Sequence, residues 1–315
     1  MSFRHVLATW GTAFAALALF AFFSIAAPNF LDPVNLLNVG KHVSFLAILA
    51  IGFSIAFTAA ELDLSFAAVC SLCAVVAGGL VFHQVAPALA VLAALAVGLC
   101  AGLVNGFLVT AMRIPSLIAT LAMASVATGL GFAITGGVAF VGRWDPAFLA
   151  LGRGSVAGIP ALILWLAAVA LFVVVVQKQT RLGLHLVFTG EADEAARLAG
   201  VKVRRMKVLA LGFSGACAGL VGVLLAATLN SAAPDMGKDY LLTSIAAVLL
   251  GMTMFEPGRC NVPGTLTGAA TIGMLGNGLV LMGAPYYVQD IALGFIIVGS
   301  VALSAAALKK AAFGI

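Results

Sequence analysis

Charged residues fall at intervals along this chain, and long apolar stretches run between them. No Asp, Glu, Lys or Arg occurs between Asp63 and Arg113. Shorter charge-free runs lie between Arg4 and Asp32, Arg113 and Arg143, Arg153 and Lys178, Lys207 and Asp235, Asp239 and Glu256, Arg259 and Asp290, and Asp290 and Lys309. A helix needs about 20 mostly apolar residues to cross a bilayer. The short alternating segments of a membrane β-barrel do not occur. The longest run divides at His83-Gln84-Val85-Ala86-Pro87, which is polar and ends in proline, and the Glu61-to-Asp63 turn sets its start. The pattern predicts an all-α, polytopic transmembrane protein of about ten spans, at roughly 7–27, 42–60, 64–82, 88–111, 115–136, 159–177, 208–229, 241–255, 264–283 and 287–308. The eighth is short and the second ends in charges, so both are candidates for broken helices. The whole chain, 1–315, reads as one transmembrane domain with no soluble domain.

Composition agrees. Hydrophobic residues make up 63% and charged residues 9%, against roughly 25% charged in a soluble domain. A soluble protein of this size has too little interior to hide that much apolar surface. Charge placement orients the spans. With both termini inside, the inner segments hold Arg4, Arg113, Lys178, Arg181, Arg197, Lys202, Arg204, Arg205, Lys207, Arg259, Lys309 and Lys310, and the outer ones only Lys41, Arg143, Arg153 and Lys238. This bias follows the positive-inside rule, so both termini are expected on the cytoplasmic side. The net charge of +5 then reports membrane orientation and not nucleic-acid binding. The N-terminal apolar stretch is too long for a cleavable signal.

Little in the sequence points to chemistry. Cys70 and Cys73 lie three apart on an apolar helix, where they read as small packing residues. The histidines His5, His42, His83 and His185 have no nucleophile and carboxylate in a catalytic arrangement, and His185 has no metal-ligand spacing around it. No Gly-x-x-x-x-Gly-Lys-Ser/Thr stretch is present to cradle a nucleotide. Glycines recur at spacings of four, as at Gly98, Gly102 and Gly106 and at Gly215 and Gly219, which lets helix backbones approach closely. Glu61 and Asp63 are acids at a predicted membrane boundary. Intramembrane acids are often functional, but at a boundary a solvated turn, with Asp63 or Ser65 capping the next helix, accounts for them. Asn105 and Asn277 fall within spans, where they either bond helix to helix or face a translocation path. Gln289 and Asp290, beside Tyr286 and Tyr287, read as the interfacial start of the last span.

The inner segment 178–207 is too long and too patterned for a connector. Thr189-Gly190-Glu191-Ala192-Asp193-Glu194-Ala195-Ala196-Arg197-Leu198-Ala199-Gly200 reads as a short helix. Thr189 or Gly190 caps it, Glu191, Asp193 and Glu194 suit its positive N-terminal end, and Gly200 ends it. A basic patch of Lys202, Arg204, Arg205 and Lys207 follows. Glu194-Ala195-Ala196, three residues, then Gly200 resembles the cytoplasmic coupling loop of ABC importer permeases. Further short matches run in order along nearly the whole chain: Leu62-Asp63-Leu64-Ser65, Pro115 through Thr120-Leu121, Thr135-Gly136-Gly137, Thr180-Arg181-Leu182-Gly183, Ser214-Gly215, Ile245 through Gly251, Gly264-Thr265, Asn277-Gly278-Leu279 and Tyr286-Tyr287-Val288-Gln289. Together they resemble the ribose/simple-sugar branch of that family. Two stretches depart from it. Ala59-Ala60-Glu61 stands where the branch usually has Gly-Gly-Ile, and Met252 through Arg259 stands where it usually has a Gly-rich turn.

The resemblance implies a permease subunit that moves a monosaccharide or similar small polar solute inward across a bacterial inner membrane by alternating access. It implies ABC ATPase subunits that bind the ATP and dock on Glu191, Glu194, Ala195, Ala196, Arg197 and Gly200. A periplasmic sugar-binding protein would meet segments 28–41, 137–157 and 230–240, and a second permease protomer would complete the path in the lipid. Glu61, Asp63, Ser65, Asn105 and Asn277 are the candidate path or gate residues. No cofactor, metal or catalytic residue is expected. Rival readings are a permease for a branched-chain amino acid or nucleoside, an ion-gradient-driven secondary transporter, which would need charges deep in the spans, and a membrane scaffold or sensor.

Overall fold

The apolar runs become helices, and the polar breaks between them become caps and turns. The structure is a computed structural model that describes residues 3–285 and 287–299. Helices α1 (Phe3–Ala26), α2 (Pro33–Thr58), α3 (Phe66–Phe82), α4 (Pro87–Thr110) and α5 (Ser116–Thr135) come first. After them come β1 (Phe140–Val141), α6 (Pro146–Arg153), β2 (Ser155–Val156), β3 (Ile159–Pro160), α7 (Ala161–Gln179), α8 (Arg181–Glu191) and α9 (Asp193–Leu198). The chain continues with α10 (Val203–Leu229), β4 (Ser231–Ala232), α11 (Tyr240–Gly251), α12 (Val262–Leu281) and α13 (Tyr287–Gly299). Six of these, α2, α4, α5, α7, α10 and α12, are long and apolar enough to cross a bilayer, and shorter apolar helices lie at Ala16–Ala26, Phe66–Phe82, Tyr240–Gly251 and Tyr287–Gly299. Tyr286, the rest of the tenth expected span, and Lys309-Lys310 lie outside the described residues.

The chain forms two compact units, Ile51–Leu241 and a second made of Met1–Ala50 with Leu242–Ile315. Within the first, α10 is the central helix. It is 72% buried, whereas α7 is only 17% buried, so α7 presents most of its surface outward. The glycine stripes explain how α10 is surrounded. A Cβ on Gly102 would meet Gly212 Cα at 2.9 Å and overlap the Leu211 carbonyl, and one on Gly98 would meet Gly219 Cα at 2.9 Å. Helices α4 and α10 therefore touch backbone to backbone. On another face of α10, Gly222 lies against Cys70 and Ala74 of α3 in the same way. At one end of this unit β1 pairs with β4, Phe140 opposite Ala232, and β2 pairs with β3. Asp145 caps α6 by accepting from the Ala147 amide at 2.7 Å.

In the second unit α1 and the turn after it pack on α12 through Phe23, Ala27 and Phe30. Gly278 leaves the room that the Phe23 ring fills. Asn35 and Asn277 exchange two amide hydrogen bonds, at 3.0 and 2.9 Å. Glycine again permits contact between α11 and α12, where Gly268 lies against Ala247 and Gly264 against Gly251.

Three elements differ from the sequence expectation. Helix α2 starts at Pro33 and not near 42, because the Asp32 carboxylate accepts from the Val34 amide at 2.7 Å and Pro33 fits a first helical turn. Helix α10 starts at Val203, so Arg204, Arg205 and Lys207 form its first turns instead of a loop. The single short helix expected over 189–200 is two helices broken at Ala192, whose φ of −155° and ψ of 77° leave the α-helical region.

Candidate functional site

The break at Ala192 shapes the inner segment. Helix α8 is capped by Thr180, whose hydroxyl accepts from Gly183 N at 3.4 Å. Its far end is seated on the end of α2: a side chain at Gly190 would overlap the Thr58 carbonyl, so only glycine fits. Thr189 and Gly190 thus belong to α8 and do not cap the following helix, and Glu191 is the last residue of α8. Helix α9 carries Asp193 and Glu194 in its first turn and Arg197 in its last.

Gly200 ends α9 in the left-handed region at φ 83°. Its amide bonds to Arg197 O at 3.0 Å, and the Val201 amide reaches Ala196 O at 2.9 Å. This is the paired closure that suits glycine best. Ala196 is buried, while Glu194, Ala195, Ala199 and Leu198 are exposed, Leu198 at 91%. A leucine so exposed beside two alanines gives α9 a small apolar face. Leu198 is not among the coupling residues the sequence predicts, and it is the largest part of that face.

Lys207, on the second turn of α10, joins this segment to the α2–α3 turn. Its Nζ lies 2.7 Å from Glu61 Oε1 and 3.5 Å from Asp193 Oδ2. Asp193 also pairs with Arg197 at 3.0 Å. The Glu61 side chain is 6% exposed, that of Lys207 20% and that of Asp193 39%. A buried carboxylate is stable only when paired, so Glu61 needs Lys207 more than Asp193 does.

The turn itself, 59–65, is tied to three spans. Helix α2 closes as α9 does, with Glu61 N bonded to Ala56 O and Ala60 N to Phe57 O, both at 3.0 Å. Here, however, the left-handed residue is Ala60, at φ 58°, where the simple-sugar branch usually has glycine. The other departure from the branch behaves alike: Phe255 takes φ 60° in the turn after α11. The Leu62 amide donates to Ser116 Oγ at 3.2 Å, and Leu62 O accepts from Thr120 Oγ1 at 3.1 Å, both on α5. Asp63 Oδ1 accepts from the Ser65 amide at 2.9 Å and the Ser65 hydroxyl at 2.6 Å at the start of α3. The Ser65 hydroxyl accepts in turn from Asn105 Nδ2 of α4 at 2.9 Å. Ser214 of α10 faces the Asp63 carboxylate, and Asn105 Oδ1 is buried with no hydrogen-bond partner among the described residues.

Of the five candidate path residues, Asp63, Ser65 and Asn105 therefore share one buried network, and Glu61 sits beside it in an ion pair. Asn277 lies in the other unit, bonded to Asn35. Among the described residues no group of three or more His, Cys, Asp or Glu side chains could hold a metal ion.

Comparison with known proteins gives this arrangement a context. Residues 35–301 match the family model described as branched-chain amino acid transport system / permease component. The ribose import permease protein of Bacillus subtilis strain 168 is 35% identical over 283 residues, covering 89% of this chain and 87% of that protein. The ribose import permease protein of Escherichia coli K12 is 35% identical over 90% of this chain and 89% of its own length. The L-arabinose transport system permease protein of the same strain is 30% identical over 95% of this chain and 91% of its own length. A chain from the inward-facing structure of an ABC transporter assigned to the metal-chelate type superposes with a TM-score of 0.51 at 12% identity, over 97% of this chain and 99% of that one. At that identity the likeness is one of fold.

Proposed function

The chain belongs to the branched-chain amino acid transport system / permease component family, in its ribose and simple-sugar branch, and on that premise we propose that it is the membrane-spanning subunit of an ATP-driven, binding-protein-dependent sugar importer. The sugar reading is supported by relatives aligned over about nine-tenths of both chains, whose names specify ribose and L-arabinose. ATP is hydrolysed on separate ATPase subunits. A periplasmic sugar-binding protein delivers the solute, and a second permease protomer completes the path in a bacterial inner membrane. Ten spans with cytoplasmic termini fit the six long and four shorter apolar helices and the bias of basic residues toward one side.

The observation that carries the coupling role is the build of segment 178–207. Helix α8 is seated on α2 through Gly190, while α9 presents Glu194, Ala195 and Leu198 outward. Such a helix is too short to hold itself, and its outward apolar face suits a groove on another subunit. ATPase subunits gripping Glu191, Glu194, Ala195, Arg197 and Gly200, with Ala196 holding α9 to the permease, would move it as ATP binds. A ligand shifts a conformational equilibrium only through different affinities for its two states, and α9 is where the nucleotide state reaches this chain. The test is a Glu194→Lys, Leu198→Asp double variant expressed with the ATPase subunits. Normal membrane insertion with loss of ATPase retention is expected; full retention with normal uptake would contradict the coupling role.

A further inference from the structure

We infer that Lys207 is a positioning residue, a latch that ties α9 to the α2–α3 turn and hands the displacement of α9 on to the spans. The inference rests on the coupling role proposed above. One ammonium is shared by two carboxylates from different elements, Glu61 at 2.7 Å and Asp193 at 3.5 Å. The two contacts are not equivalent. The Glu61 contact is short and its carboxylate nearly buried, so breaking it would strand a charge in the interior. The Asp193 contact is longer and its carboxylate more exposed, and an exposed pair of that kind contributes little free energy. Asp193 is therefore the side that makes and breaks, while Lys207 stays with Glu61.

The backbone permits that motion. Helix α8 is fixed on α2 at Gly190, but α9 follows the non-helical Ala192, which leaves a joint between the two. On the inner side, the turn that carries Glu61 holds the first two turns of α5 through Ser116 and Thr120. It holds the start of α3 through Asp63 and Ser65, and α4 through Asn105. Glu61 stands where the simple-sugar branch usually has isoleucine, so this latch is a feature of this chain and not one carried over by the resemblance.

The experiment is a double-mutant cycle on the assembled transporter in proteoliposomes, with ribose and ATP both counted. Asp193→Asn should lower the sugar moved per ATP hydrolysed measurably, by up to about fivefold, the most that a part-exposed ion pair supports. Lys207→Met should do the same, and adding Asp193→Asn to it should cause little further loss, because both remove the Lys207–Asp193 contact and the other pair of Asp193, to the exposed Arg197, contributes little. Lys207→Arg should restore most of the ratio. A structural strut alone would change melting temperature and yield and leave the ratio intact. A wild-type ratio in Asp193→Asn, or losses that multiply in the double variant, would overturn the latch. If Lys207→Met does not assemble, Asp193→Asn decides alone, since it leaves the Glu61–Lys207 pair in place. Absence of ATP-driven sugar uptake in the wild-type complex would instead sink the importer reading, and the latch with it.

Discussion

Ala60 offers a clean measurement, because its backbone is strained and its side chain is free. The residue closes α2 at φ 58° and is exposed, so replacement changes backbone energetics and little packing. An L-residue in the left-handed region loses roughly 1–2 kcal/mol. Glycine removes that strain but gives up about 0.5–1 kcal/mol in unfolded-chain entropy. Ala60→Gly should therefore stabilise the protein by roughly 0.5–1 kcal/mol. In a domain of 150–250 residues 1 kcal/mol moves the melting temperature by about 2–4 °C, so a rise of about 1–3 °C is expected in this larger chain. Ala60→Val should lie on the other side of wild type, because a β-branched residue tolerates this region worst. The assay is thermal unfolding of the purified protein in one detergent, read by intrinsic fluorescence. The order Gly, Ala, Val from most to least stable is predicted. Glycine equal to or below alanine would refute the strain argument and place α2's end in another conformation.

Two further outcomes follow from the helix contacts. Gly102→Val should destabilise by at least about 1–3 kcal/mol, the usual effect of overpacking, because the new atoms meet α10 backbone that has no rotamer to move; an unchanged melting temperature would deny the close crossing. Asn277→Leu should lower stability by roughly 0.6–1.7 kcal/mol, the range for polar bonds between membrane helices, and adding Asn35→Leu should return part of the loss because no amide is then left unpaired; additive losses would exclude the paired amides.

The sequence carried the features that depend on local pattern. Apolar runs marked the spans, and the spacing of Gly98, Gly102 and Gly106 marked a close helix contact, since both are periodic signals. Gly200 marked the end of α9 because a left-handed cap favours glycine wherever it falls. Other features depended on partners far along the chain. Nothing near Glu61 announces Lys207, and nothing near Asn35 announces Asn277. The start of α10 was hidden because its basic first turns look like a connector, although Asp32-Pro33 at the start of α2 was a readable cap. The break at Ala192 lies beside the seat of α8 on α2 at Gly190, a tertiary contact that no local pattern announces. Glu61 and Asp63 looked alike in the sequence, yet one is ion-paired and the other hydrogen-bonded into the start of α3.

The most direct measurement is uptake of labelled ribose or L-arabinose into proteoliposomes that hold this chain with its ATPase subunits. Binding protein is supplied on the outside and ATP on the inside. Accumulation that requires both is predicted. Uptake that ignores ATP and follows an imposed proton or sodium gradient would contradict the assignment as an ATP-driven importer subunit.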